Sequence, residues 1–112
     1  MDCVFCKIAS GKIKADKVYE NDDLVVIKDI SPQAPVHLLV IPKKHYSTIL
    51  DCADDARLLG EMCSAAVRAA KKAGVGEKGF RISLNTNDEG GQTVFHLHMH
   101  ILGGRQLTGR LG

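Results

Sequence analysis

The segment His96-Leu97-His98-Met99-His100-Ile101 alternates imidazole and apolar side chains without a break. Successive side chains of a β-strand point to opposite faces of the sheet, so this alternation predicts a strand, here placed at residues 94–102. Its apolar residues would then face the core. The histidines would share the other face at intervals of about 7 Å, given a rise of roughly 3.3 Å per residue.

Three imidazoles on one strand face indicate a functional site, because such a row of titratable groups contributes little to stability. Two chemistries are open at this point. Paired imidazoles on a strand can bind one zinc ion, and a neutral imidazole can act as a nucleophile whose neighbours hold its tautomer and the substrate. Just upstream, Gly90-Gly91-Gln92-Thr93 predicts a turn with donors for phosphate oxygens.

The rest of the chain predicts an α+β fold, an antiparallel sheet with one long helix packed on it. The stretch 18–20 and the apolar run 24–27 flank a polar turn at 21–23, which indicates a hairpin. Residues 36–41 are almost continuously apolar, as expected for a central strand covered on both faces. The alternation at 80–85 predicts a half-buried strand.

The clearest helix is predicted between the acidic residues near position 54 and a glycine stop at Gly74. Apolar residues recur there at the i, i+3, i+4, i+7 spacing and define the face expected to pack on the sheet: Leu59, Met62, Cys63, Ala66, Val67 and Ala70. Cys52 and Cys63 are expected to be packing residues in or near this helix.

Length and composition narrow the class of protein. A chain of 112 residues has the size of one domain, and we expect a single domain over residues 1–112. A net charge of +2 without a basic stripe, and only 4% aromatic residues, argue against nucleic-acid binding. No apolar run reaches the roughly 20 residues of a membrane helix. Residues 1–6 show no secretory signal, so we expect a cytoplasmic protein with reduced cysteines.

Cys3 and Cys6 form a CxxC pair, the spacing that zinc sites use for two of their four ligands. The other two ligands would come from elsewhere in the chain. An incidental pair of small buried residues is the competing interpretation. A thioredoxin-like redox pair is disfavoured, because no βαβ unit surrounds the two cysteines.

The His-x-His-x-His run, followed by Ile101-Leu102, resembles the hallmark of the histidine triad (HIT) family. The resemblance covers nearly the whole chain, through residues 29–37, 40–45 and 90–105, and is strongest to the Hint branch of purine nucleoside phosphoramidases. It implies a HIT-like α+β fold and a homodimer in which the long helices pair and the sheet extends across both chains. It also implies hydrolysis of purine nucleoside 5′-phosphoramidates, of the AMP-NH2 or AMP-lysine type, to the nucleoside monophosphate.

The resemblance further implies roles for individual residues. His98 would be the nucleophile that attacks the α-phosphorus and forms a nucleotidyl-histidine, His100 would assist at the phosphate and leaving group, and His37 would join their network. Asp29 would accept hydrogen bonds from the ribose, with capping of the following proline-rich turn as the competing explanation. The other implied contacts are Asn85, Gln92 and Thr93 at the phosphate, and Phe5, Ile8, Ile27 and Ile30 as an apolar slot for the base; burial in the core explains any one of these four equally well.

By the same resemblance, a structural zinc ion would be bound by Cys3, Cys6, His45 and His96 and would take no part in the chemistry. No carboxylate cluster suited to Mg²⁺ accompanies the triad in the sequence. Three other functions are open: a dinucleoside polyphosphate hydrolase or nucleotidyl transferase, a nucleotide-binding module without catalysis, and a zinc-stabilised structural domain.

Overall fold

The computed structural model describes residues 3–112; Met1 and Asp2, which belong to the stretch where no secretory signal is expected, lie outside the described residues. In chain order the elements are α1 (Val4–Ala9), β1 (Lys17–Glu20), β2 (Leu24–Lys28), β3 (Val36–Pro42), a 3₁₀ helix (Ile49–Cys52), α2 (Ala56–Lys72), β4 (Phe80–Ser83) and β5 (Met99–Gly103). None of the helices among these residues is long and apolar enough to cross a membrane.

The strands form one antiparallel sheet in the order β1-β2-β3-β5-β4, which places β3 at its centre. This arrangement confirms the predicted α+β class, the hairpin and the central strand. In the register between β3 and β5, His37 lies opposite Leu102 and Leu39 lies opposite His100. Since alternate residues share a face, the side chains of His37 and His100 lie on the same side of the sheet.

Both faces of the sheet are covered, which explains the continuous apolar run of β3. On one face, Leu38 and Val40 pack with α2 in the larger core cluster. On the other face, Leu39 and Ile41 pack with Phe5 of α1 in a smaller cluster. The histidine-bearing side is therefore the side that α1 covers.

The predicted buried face of α2 is confirmed at Met62, Ala66 and Ala70 and wrong at Cys63 and Val67. The helix begins after Asp55, whose carboxylate accepts the Leu58 N–H at 3.2 Å, and its buried residues are Leu58, Met62, Ala65, Ala66, Ala69 and Ala70. Cys63 and Val67 are exposed instead. Ala65 and Ala69 face the sheet in place of Cys63 and Val67. Their small side chains let the helix approach the sheet closely, and this close packing determines which side of the helix is buried. Cys52 is buried in the core, as predicted.

The last strand is also shorter than predicted. It begins at Met99 rather than at residue 94, because the pairing with β3 ends at Val40 and Pro42 has no N–H with which to extend the ladder. The alternation nevertheless continues upstream, since Leu97 packs in the core cluster on the α2 side. Residues 94–98 therefore run beside the sheet with backbone groups that are free for other partners. The N-cap of α1 is Cys3, and no sequence pattern predicts this short helix.

We expect Met62→Ala to lower the free energy of unfolding by about 2–4 kcal/mol, because Met62 is fully buried between α2 and the sheet and its truncation leaves a cavity. Arg68→Ala, on the exposed side of the same helix, is the matched control and should change stability by less than about 0.5 kcal/mol. Urea unfolding at one protein concentration measures both. Equal losses in the two variants would contradict the orientation of α2.

Candidate active site and metal-ligating cluster

Three imidazoles come together on the side of the sheet that α1 covers. The ring centroids of His98 and His100 are 5.0 Å apart, closer than the 7 Å expected from an extended strand. His37 joins them from β3, with its ring centroid 5.2 Å from that of His100. The Phe5 ring meets His98 edge-on at 5.0 Å and shields it from solvent. The structure thus brings the three proposed catalytic histidines into one network.

The hydrogen bond made by His98 determines which of its nitrogens is free. Its Nδ1 lies 2.7 Å from the carbonyl oxygen of His96, and a carbonyl only accepts, so Nδ1 carries the proton. The neutral ring then has its lone pair on Nε2. Burial lowers the pKa of His98, which keeps the ring neutral near pH 7. A neutral imidazole with an unprotonated Nε2 is the nucleophilic form.

The tautomer of His37 is set from the loop between β2 and β3. The backbone N–H of Gln33 donates to His37 Nδ1 at 3.0 Å, so a neutral His37 carries its proton on Nε2. That nitrogen lies 2.9 Å from His100 Nδ1, which therefore accepts the bond and leaves its own proton on Nε2. Burial, with the neighbouring His98 and His37, lowers the pKa of His100 to about 4. His100 is thus neutral at pH 7 and can donate one hydrogen bond from Nε2.

Asp29 lies beside this network and also caps the turn. Its Oδ1 accepts the backbone N–H of Ser31 at 2.8 Å, while its Oδ2 lies 3.3 Å from His37 Nε2. Asp29, His37 and His100 are close enough to hold a metal ion, with potential ligand atoms within 4.8 Å of one another. Their hydrogen bonds account for this proximity without an ion. The structure therefore shows the capping role, with one carboxylate oxygen directed to the histidines.

Gln92 occupies a position that the sequence did not suggest. Its side chain is buried, and its amide nitrogen donates to the carbonyl oxygens of Ser47 at 2.8 Å and Val94 at 3.0 Å. Its Oε1 accepts the backbone N–H of Asn87 at 2.9 Å. Both amide protons are therefore donated within the chain. In this conformation the amide has no free N–H with which to make the expected contact with a phosphate. Gln92 instead holds the turn that precedes the triad.

The same turn is kept tight by Gly90. A Cβ at Gly90 would lie 2.2 Å from the carbonyl oxygen of Thr86, so no larger residue fits without a backbone shift. Asn85, one of the expected phosphate contacts, donates from Nδ2 to the Gly90 carbonyl at 2.6 Å. Thr93, the hydroxyl-bearing member of the expected phosphate contacts, is exposed in this turn. The glycine pair and Asn85 therefore shape the segment that leads into the triad.

The four residues expected to form an apolar slot are not all packed together. Phe5, Ile8 and Ile27 are buried in the cluster between α1 and the sheet. Ile30, by contrast, is 97% exposed in the segment that follows β2. Its side chain is available to an apolar ligand, whereas the other three mainly serve the core.

A second cluster brings together the four residues expected to bind zinc: Cys3, Cys6, His45 and His96. All four ligand atoms lie within 4.8 Å of one another. The shortest separations are 3.2 Å from Cys3 Sγ and 3.5 Å from Cys6 Sγ to His96 Nδ1, 3.2 Å from Cys6 Sγ to His45 Nδ1, and 3.1 Å between the two Nδ1 atoms. Tetrahedral zinc with bonds of about 2.3 Å to sulfur and 2.0 Å to nitrogen requires separations of roughly 3.3–3.8 Å. Three of the four separations lie about 0.1–0.2 Å below that range, so the residues fit a tetrahedral ion of that kind after a small outward shift of their side chains.

The imidazole of His96 is oriented for such a role. Its Nε2 lies 2.7 Å from the carbonyl oxygen of Pro42, so the proton belongs on Nε2 and the lone pair of Nδ1 faces the cysteines. A hydrogen bond from the second nitrogen to a carbonyl is the usual support of a metal-bound histidine. Burial lowers the pKa of His96, which also favours the neutral ring that a metal needs.

Backbone groups complete the site, and sequence reasoning missed them. The carbonyls of Pro42 and His96 and the N–H of Gln33 each set the tautomer of one histidine. No side-chain pattern reports such groups. The only available signal was the pair Pro32 and Pro35, which marks the loop that presents the N–H of Gln33.

Comparison with known proteins finds relatives along nearly the whole chain. The chain is 44% identical over 107 residues to a purine nucleoside phosphoramidase of Escherichia coli strain K12, and the match covers 95% of this chain and 90% of the relative. A crystal structure of a HIT family hydrolase from Legionella pneumophila superposes with a TM-score of 0.96 at 48% identity, covering 99% of this chain and 100% of the other. A histidine triad protein from Clostridium difficile superposes with a TM-score of 0.94 at 43% identity, covering 98% and 96%.

The family model of the HIT domain matches residues 10–107. This range includes all three imidazoles of the network, His37, His98 and His100, and two of the four residues of the metal-ligating cluster, His45 and His96. With relatives above 40% identity along most of its length, the chain belongs to the HIT family.

Proposed function

We propose that this chain hydrolyses purine nucleoside 5′-phosphoramidates, of the AMP-NH2 or AMP-lysine type, to the nucleoside monophosphate through a nucleotidyl-histidine on His98. The observation that carries the proposal is the hydrogen bond from His98 Nδ1 to the His96 carbonyl, which leaves Nε2 of a buried, neutral ring unprotonated. The activity in the name of the Escherichia coli relative supports the choice of a phosphorus–nitrogen bond.

In the first step, the Nε2 lone pair of His98 attacks the α-phosphorus, and the bond from phosphorus to nitrogen breaks as the leaving nitrogen takes up a proton from solvent water. His100 donates from its Nε2 to a phosphate oxygen, where negative charge must be stabilised. In the second step, water attacks phosphorus and gives one proton back to solvent, the bond to His98 breaks with its electron pair returning to Nε2, and the nucleoside monophosphate leaves. Passage through a covalent intermediate replaces one difficult displacement by two easier ones.

The remaining site residues bind and orient the nucleotide in this proposal. Asp29 uses its Oδ2 for the ribose hydroxyls, and Asn85 and Thr93 lie along the phosphate. Exposed Ile30 covers the base, and the buried Phe5, Ile8 and Ile27 supply the rest of the apolar lining. Gln92 acts indirectly, because its amide holds the turn that carries Thr93.

We expect wild-type protein to release AMP from adenosine 5′-phosphoramidate, and His98→Ala to lose at least roughly 10³-fold in kcat, because no other group replaces the nucleophile. Rapid quenching followed by mass spectrometry should show an AMP-sized adduct on His98. Arg68→Ala, an exposed substitution on α2, is the control and should turn over normally.

Binding of AMP without turnover in the wild-type protein would contradict this proposal and favour a nucleotide-binding module. Release of AMP from a dinucleoside polyphosphate, with no reaction of the phosphoramidate, would reassign the substrate class but retain the role of His98. Equilibrium dialysis with AMP shows whether the His98→Ala site still binds nucleotide.

The metal-ligating cluster, in our proposal, holds a structural zinc ion with Cys3, Cys6, His45 and His96 as its ligands. When bound, zinc would link α1, the segment after β3 and the segment before β5. The backbone of His96 would thereby be held, and its carbonyl is the group that sets the tautomer of His98. Zinc would stabilise the site without contacting the substrate.

We expect about one zinc ion per chain in protein purified without chelator. Cys6→Ser should lower the free energy of unfolding by roughly 2 kcal/mol or more, because metal binding contributes to folding. Lys14→Ala is the control, since Lys14 is exposed and lies outside both the cluster and α2. Zinc far below one ion per chain, or equal stability of the two variants, would contradict the assignment.

A homodimer is the assembly we infer, with α2 helices paired and the sheet continued through β4. Two observations support it. The β4 strand is an edge strand with free backbone groups that can pair with another chain. Val67, which sequence analysis placed in the core, lies 38% exposed on the outer side of α2.

Light scattering should therefore give twice the 12.1 kDa mass of one chain at micromolar concentration. Val67→Glu should shift the protein towards monomer, because a charge replaces an apolar contact between the helices. Val4→Glu is the matched control, since Val4 is an equally exposed valine at 42% on α1. A monomer mass for wild type, or equal effects of the two charges, would contradict this dimer.

A further inference from the structure

Arg105 joins the segment after β5 to the loop between β2 and β3. Its Nη2 donates to the carbonyl oxygen of Gln33 at 3.1 Å, and its Nη1 donates to the carbonyl oxygen of Gln106 at 3.0 Å. Within residues 3–112, Arg105 forms no ion pair with a carboxylate. Its guanidinium is therefore committed to fixing two backbone carbonyls that lie far apart in the sequence.

The residue that Arg105 holds is one of two groups that set the tautomer of His37; the other is Asp29, whose Oδ2 lies 3.3 Å from His37 Nε2. The Gln33 carbonyl accepts from Arg105, while the Gln33 N–H donates to His37 Nδ1 at 3.0 Å. His37 Nε2 in turn lies 2.9 Å from His100 Nδ1. One continuous series of hydrogen bonds thus runs from the surface arginine to the imidazole beside His98.

The loop has other restraints, but none of its other hydrogen bonds within residues 3–112 involves the Gln33 carbonyl. Ser31, Pro32 and Gln33 are exposed, while Ala34 is buried. The Ser31 N–H donates to Asp29, and the Gln33 side-chain amide donates to the Ser31 carbonyl. The segment after β5 touches the loop at one more point, where a Cβ on Gly104 would lie 2.9 Å from Pro35 Cβ. Gly104 also has a φ of +92°, which other residues rarely adopt. This close approach places Arg105 within reach of the Gln33 carbonyl.

Loss of the Gln33 N–H would leave Asp29 Oδ2 as the one remaining group that favours the proton on His37 Nε2, and would raise the population of the opposite tautomers along the series. His37 could then carry its proton on Nδ1, and its Nε2 would have to accept from His100 Nδ1. His100 would be left with a lone pair on Nε2, which repels a phosphate oxygen instead of donating to it. A small displacement of the loop therefore changes a donor into an acceptor at the reacting group.

We propose that Arg105 is a positioning residue for the reaction: it holds the backbone of Gln33, and through Gln33 and His37 it keeps the proton of His100 on Nε2. The proposal rests on the proposed function only in assigning His100 to the phosphate. The tautomers themselves are a property of the protein without substrate.

The test combines nitrogen-15 NMR of the imidazoles with kinetics. In wild type, long-range proton–nitrogen spectra should show His37 Nδ1 as unprotonated and His37 Nε2 as protonated. In Arg105→Met these signals should shift towards a mixture of tautomers, and kcat should fall about tenfold with a smaller change in KM. Arg105→Lys keeps one donor and should recover part of both losses.

Arg81→Met is the matched control, because Arg81 Nη2 also holds the C-terminal segment, through the carbonyl of Thr108, and within residues 3–112 no hydrogen bond joins it to the loop. Because Arg81 lies on β4, light scattering should first show that the variant has the same mass as wild type. It should leave the tautomers and kcat as in wild type. Wild-type tautomers with wild-type kcat in Arg105→Met would overturn the proposal, as would equal effects in Arg81→Met. If wild type turns over no phosphoramidate, the proposed function fails, while the tautomer comparison still decides the role of Arg105.

Discussion

The hydrogen bond from His98 Nδ1 to the carbonyl of His96 is the interaction on which the rest of the site depends. It exists because residues 94–98 leave the β-ladder, so that the His96 carbonyl is free to accept a side chain. The same residue sends its imidazole into the cysteine cluster and bonds to the Pro42 carbonyl. One short segment therefore couples the candidate metal site, the end of β3 and the proposed nucleophile.

Burial gives this arrangement its chemical character. Desolvation lowers the pKa values of His96, His98 and His100, so all three rings are neutral near pH 7 and each has one donor and one acceptor nitrogen. Among residues 3–112, no buried side-chain nitrogen or oxygen lacks a hydrogen-bond partner. Backbone groups supply three of those partners. Because a backbone carbonyl only accepts and a backbone N–H only donates, each of them sets which nitrogen of its histidine carries the proton.

Local sequence patterns were enough to predict most of the fold. The hairpin, the central strand and the α+β class follow from alternation and from turn residues, because these depend on neighbours in sequence. Two details required the assembled structure. The buried side of α2 is decided by how closely Ala65 and Ala69 let the helix approach the sheet, and the start of β5 is decided by where β3 stops at Pro42. Both depend on packing between segments distant in the chain.

By itself the sequence determined that three histidines would share one face and that a CxxC pair would lie at the start of the chain, since both follow from covalent spacing. Only the tertiary structure decided which nitrogen of each imidazole is free. It also decided that Gln92 holds a turn, and that Cys3 and Cys6 meet His45 and His96. The physical reason is that a tautomer is set by the partner across a hydrogen bond, and such partners here are backbone atoms brought together by folding.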